Sequence, residues 1–194
     1  MHFNEAEFRS CAEFEAINQM YTSHISDNGI LQTLLPENVE LASFYSGYNS
    51  LFNKAFTVAC GNAFERKLTA ELPKILSSEN PLALNFLHKQ ALERKYHTLF
   101  EWDQKNANKF FGLFGSDFKK YIQNIIKENS TLSEQQKCFL ELGNLRNLIV
   151  HKGIDTYSLT SDLETIKKMF DNSLEFAVFF CNSFCEYFIT FRTA

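Results

Sequence analysis

The run Glu141-Leu-Gly-Asn-Leu-Arg-Asn-Leu-Ile-Val-His-Lys-Gly153 sets an arginine, two asparagines and a histidine ahead of a glycine. Imidazole takes up and releases protons near neutral pH, so His151 is the candidate for acid–base work. Arg146 offers a planar fork of N–H donors that suits a phosphate and steadies negative charge developing on it. The Asn147 amide suits positioning of His151, phosphate or ribose rather than proton transfer. Asn144 lies a further turn back, and Lys152 adds a positive charge next to the histidine.

These residues need a helix to hold them. Leu142, Leu145 and Ile149 recur at three- and four-residue spacing and predict a core-facing stripe. Asn144, Asn147 and His151 then share the opposite face. Arg146 lies five residues before His151, about 140° around an ideal helix, so its long side chain has to reach to converge on the ring. Gly153 suits the left-handed position just past a helix end, which puts His151 in the last turn. Thr131 to Glu134 has the pattern of a capping box at the start of this helix.

Arg146, Asn147 and His151 resemble the motif of the HEPN superfamily: an arginine followed by a polar residue, then a histidine after four to six positions. The upstream Cys60-Gly-Asn-Ala-Phe-Glu-Arg-Lys67 also resembles the aromatic-Glu segment of standalone HEPN proteins, with the RiboL-PSP-HEPN branch the nearest. The resemblance spans roughly residues 40–190. It implies a homodimer with Arg–His pairs facing a shared cleft. It also implies metal-independent, cofactor-free RNA cleavage that leaves a cyclic phosphate. Arg146, Asn147 and His151 would be catalytic, Glu65 and Asn144 supporting, and Arg66, Lys67 and Lys152 RNA-binding. A bacterial defence or toxin–antitoxin setting follows, with an antitoxin or defence-system protein as a further partner. Other family members are inactive scaffolds or binding modules, which is the alternative function.

The same residues also have a structural reading. Arg146 would close an internal salt bridge, Asn147 would cap or bridge helices, and His151 would simply end its helix. Glu65, Arg66 and Lys67 read either as a solvated helix face or, for Glu65, as a partner to the Arg–His site.

The chain as a whole predicts an all-α fold, an antiparallel helical bundle with long core helices and short peripheral ones. It reads as a single domain over 1–194 with an N-terminal helical extension. Its 194 residues, 45% of them hydrophobic with 21 phenylalanines, are enough for one sizeable core. A formal charge of −4 argues against broad nonspecific wrapping of nucleic acid, while leaving room for a local basic cleft. Cys11, Cys60, Cys138, Cys181 and Cys185 lack the spacing of a secreted disulfide framework or a metal site, and read as core thiols. With no export signal or membrane-length apolar run, the expected location is cytoplasmic.

Helices are expected over 3–24, from near Asn38 to Leu76, over 82–102, from Ser116 as N-cap through Asn129, across the motif, and from a Ser161–Glu164 capping box through Phe188. Turns are expected at Asp27-Asn-Gly29 and Ser78-Glu-Asn-Pro81. Gly47, Gly61 and Pro73 threaten the continuity of the second helix. His2 and His24 read as terminal and surface histidines, and His88 and His97 as surface or packing residues. The cluster Lys89, Arg94 and Lys95 reads equally as a phosphate contact or a solvated face. Phe110 to Gly115 reads as a packed turn, since it lacks the Lys-Ser/Thr ending of a phosphate loop.

Overall fold

The computed structural model describes residues 2–77, 81–92 and 95–192. Among them there are helices and connections but no strand. The helices are α1 (Glu5–Arg9), α2 (Ala12–Leu34), α3 (Val39–Leu76), α4 (Pro81–Leu87), α5 (Tyr96–Leu99), α6 (Asn108–Gly112), α7 (Ser116–Glu128), α8 (Ser130–Lys152) and α9 (Leu163–Arg192). The expected break at Ser78–Asn80 and the side chain of Arg94 lie outside the described residues.

The long helix α3, 38 residues and about 57 Å at the standard rise, is the spine. The Asn38 side chain caps it, accepting the Leu41 N–H at 2.9 Å. Neither glycine breaks α3. Pro73 is absorbed near its C-terminal end, where the Ser77 N–H closes onto the Pro73 carbonyl. Helix α2 runs antiparallel to α3, with Tyr21 near Phe56 and Gln32 bonded to Tyr45. Helix α8 also runs antiparallel to α3: Lys54 donates to the Ile154 carbonyl, and further along α3 Glu65 meets Arg146. Helix α9 closes the bundle against α8 and α3.

Phenylalanine packing holds these long helices together. Phe64 of α3, Phe139 of α8 and Phe170 of α9 meet at ring-centroid distances of 5.3–5.7 Å. Phe110 of α6 packs edge-on to Phe180. Each such buried ring contributes about 1.5–3 kcal/mol of transfer free energy, so the core is secured by many separate anchors.

Several local expectations are corrected. The Asn28-Gly29 pair does not turn the chain. Helix α2 continues through it, because the Asn28 amide is held by His24 and Asn49 across the α2–α3 contact. His24 is no surface histidine: it is 4% exposed and lies flat on Phe52 at 3.5 Å. The segment 82–102 is not one helix. A π-helical turn spans His88–Leu92, and α5 ends at an extended Phe100. Side chains two apart on a helix diverge, so Phe100 and Trp102 can both pack on Phe139 only if the helix stops between them.

Helix starts also differ from the expected caps. Asn129, not Thr131, caps α8 by accepting the Leu132 N–H at 3.0 Å. Asp162, not Ser161, accepts the Thr165 N–H at 2.8 Å before α9. Gly115 at φ 100 precedes Ser116, which is the first helical residue of α7.

Candidate functional site

The candidate site lies where α3, α5 and α8 meet. Gly61 brings α3 against α8. A Cβ there would come within 2.7 Å of Arg146 Cγ and 2.8 Å of Arg146 Cβ, so only glycine lets the arginine stem lie on the helix. One turn earlier on α8, Gly143 makes room for the Trp102 ring, which a Cβ would overlap. The Trp102 indole N–H donates to the His97 carbonyl at 2.8 Å. Trp102 thereby fixes the α5 turn on the same helix that carries Arg146.

With its stem held in this way, Arg146 reaches four acceptors. Nε donates to Asn62 Oδ1 at 2.9 Å, and Nη2 donates to Glu65 Oε2, also at 2.9 Å. Nη1 donates to Asn147 Oδ1 at 3.1 Å and faces His97 Nδ1 at 3.3 Å. The other Glu65 oxygen is 3.4 Å from His97 Nε2. A guanidinium has five N–H donors, so a single N–H on Nη2 remains outside these bonds. The Arg146 side chain is 17% exposed and that of His97 42%, so the group opens to solvent on the histidine side.

The interior behind this group is filled. The void bounded by Phe64, Tyr96, Trp102, Phe139 and Leu142 is about 10 Å³, scarcely room for one water. Burial pushes the Tyr96 hydroxyl well above its usual value; the Glu65 charge adds to the shift and Arg146 opposes it. Tyr96 is therefore a neutral wall at physiological pH.

His151 sits on the last turn of α8, exposed, with Gly153 at φ 91 just beyond it. Among the described residues its ring has no hydrogen bond or ion pair. Asn147 lies one turn before it and links its turn to the Arg146 cluster. Arg66 and Lys152 are both exposed, and the Lys152 ammonium stands 5.7 Å over the Tyr157 ring.

Other nominated residues are not brought to this cluster. Lys67 is 9% exposed, pairs with Glu71 at 3.3 Å and sits over the Phe8 ring on another face of α3. Asn144 borders a separate, open depression with Trp102, Glu134 and Glu141. Two participants escaped the sequence reading, His97 and Asn62. Asn62 lies within the quoted Cys60–Lys67 segment. His97 had only a weak signal, its place next to the aromatic run Tyr96–Trp102. Among the described residues, no three His, Cys, Asp or Glu side chains are grouped to hold a metal ion.

Arg146, Asn147 and His151 thus lie together near the end of α8, the long helix before α9. The family model described as RiboL-PSP-HEPN matches residues 23–187, and the chain belongs to that family. No curated protein and no solved structure matches the chain. Among the described residues, no helix is long and apolar enough to cross a membrane.

Proposed function

We propose that the chain is a metal-independent endoribonuclease acting as a homodimer. His151 takes the proton of a ribose 2′-hydroxyl. The 2′-oxygen attacks the adjacent phosphorus, the bond to the 5′-oxygen breaks, and a 2′,3′-cyclic phosphate remains. The departing 5′-oxygen needs a proton, and a second copy bringing its own histidine supplies it. Arg146 steadies the charge on the phosphate, Asn147 and Glu65 hold the site, and Arg66 and Lys152 meet the RNA backbone. Lys67 has no part in this contact, because its ammonium is already engaged away from the cluster.

One observation carries the reading: an exposed imidazole, without a partner among the described residues, follows a fixed Arg–Asn pair on one helix. The whole chain acts as one domain, with α1 and the start of α2 as an N-terminal extension. Its setting is cytoplasmic defence or toxin–antitoxin biology, where an inhibitory protein keeps an RNase in check.

A second reading, an inactive RNA- or protein-binding scaffold, is favoured by the four internal bonds that already occupy Arg146. Wild-type and His151→Ala proteins on a cellular RNA pool, with chelator present, separate the two. Loss of the proton-transfer group should lower turnover about 10²–10⁴-fold in a mutant that still folds and dimerises. Equal cleavage by both proteins removes His151 from the mechanism, and no cleavage by either favours the scaffold.

A further inference from the structure

We infer that His97 is a positioning residue for Arg146, an inference that rests on the endoribonuclease reading for its catalytic consequence. Arg146 Nη1 can only donate, so His97 Nδ1, 3.3 Å away, must be the acceptor. The ring hydrogen of the neutral imidazole then sits on Nε2, which lies 3.4 Å from Glu65 Oε1. The second Glu65 oxygen receives the Arg146 Nη2 N–H at 2.9 Å. Arginine, glutamate and histidine thus close a circuit in which each member touches the other two.

This circuit fixes both the tautomer of His97 and the plane of the guanidinium. His97 is tied to α8 directly through its side chain to Arg146, and its carbonyl accepts from Trp102, whose ring packs on Gly143 of α8. It also separates the two histidines by role. His97 bonds Arg146 through Nδ1 and has Glu65 3.4 Å from Nε2, whereas the ring nitrogens of His151 are free of partners among the described residues. His97 therefore orients the arginine, and His151 is left to move protons. The guanidinium so held keeps one Nη2 N–H for a phosphate oxygen.

The test uses His97→Ala, His97→Asn and His97→Gln in the full-length protein, with a short RNA oligonucleotide as substrate. Asparagine Oδ1 falls close to the place of Nδ1 and can accept from Arg146, whereas the longer glutamine puts its amide beyond that point. Losing an acceptor from a charged donor should lower kcat by about 10- to 100-fold while KM moves much less. His97→Asn should recover most of that loss and His97→Gln should not. Wild-type kcat in His97→Ala, or an asparagine variant as impaired as alanine, overturns the positioning role.

Nitrogen-15 NMR reads the same circuit without turnover. The wild type should show an Nε2–H tautomer at His97 and slowly exchanging Arg146 side-chain N–H signals. The signal of the Nη1 N–H that faces His97 should vanish in His97→Ala and persist in His97→Asn, while the Nε–H bonded to Asn62 persists in both; persistence of that Nη1 signal in His97→Ala overturns the inference. Absent wild-type cleavage with these NMR signatures intact overturns the endoribonuclease reading alone.

Discussion

Gly143→Ala tests whether α8 really determines where the His97-bearing turn sits. The added methyl would overlap the six-membered part of the Trp102 ring, with Cη2 still only 3.0 Å away. Because Gly143 is inside a helix, alanine would by itself favour folding by about 1 kcal/mol. Against this stands an overpacking cost of about 1–3 kcal/mol. Displacing the indole also endangers its 2.8 Å bond to the His97 carbonyl, worth about 1 kcal/mol. The net expectation is a loss of about 1–3 kcal/mol, opposite in sign to the propensity effect alone. Trp102 is the single tryptophan of the chain, so its fluorescence reports the site directly. Urea unfolding followed by that fluorescence should show a lower midpoint, and emission of the folded mutant should shift to the red. A mutant more stable by about 1 kcal/mol with unchanged emission would refute the close packing of Trp102 on Gly143.

Two further outcomes follow from the elements around the site. Asn129→Ala removes the acceptor for the Leu132 N–H at the start of α8 and should cost about 1 kcal/mol in urea unfolding; Thr131→Ala, inside the first turn, should cost clearly less. Burial holds the His24 imidazole below its ordinary value, while bonding to Asn49 and the charge of Asp27 oppose the shift. The neutral ring is the form the fold prefers, so its stabilisation is full above the unfolded value of about 6.5. It is lost as pH falls through that value toward the folded one, because the unfolded chain takes up the proton first. Unfolding midpoints measured from pH 7.5 down to 5 should therefore fall more steeply in the wild type than in His24→Gln, and equal slopes would contradict this assignment.

Much of the fold was legible because it rests on periodicity. The stripe of Leu142 and Ile149 is buried as its spacing requires, and Leu145 packs at its edge. The start of α3 at Asn38 and the glycine after α8 follow from local chemistry that needs no tertiary knowledge. The failures lie where a distant residue outweighs a local preference. Asn28-Gly29 is a turn pair by composition, yet the Asn28 amide finds His24 and Asn49 and the helix runs on. The aromatic face Phe44–Tyr48–Phe52–Phe56 is periodic throughout, but burial is graded along it: Phe56 is sealed in while Phe44 is 64% exposed. Periodicity identifies the face of α3 but does not set how much of it is buried, since α2 still reaches Tyr45 beside the exposed Phe44.

The site divides along the same line. Arg146, Asn147 and His151 are visible because one helix carries them at fixed spacing. Their surroundings come from elements that spacing cannot relate, Asn62 and Glu65 on α3 and His97 on α5. Two readings of Arg146, an internal salt bridge and a phosphate-facing donor, looked exclusive in the sequence. In the folded chain the salt bridge to Glu65 is present, and the donor count still leaves one N–H on Nη2. Internal bonding therefore narrows what Arg146 can offer a phosphate without abolishing it. A two-pronged clasp would require Glu65, His97, Asn62 or Asn147 to let go, whereas use of the single remaining N–H keeps all four bonds. Preorganisation of that kind favours charge that develops at one oxygen during attack over tight binding of the resting phosphate. On the endoribonuclease reading, an Arg146 lesion is therefore expected to lower kcat more than it raises KM in steady-state cleavage of an RNA oligonucleotide.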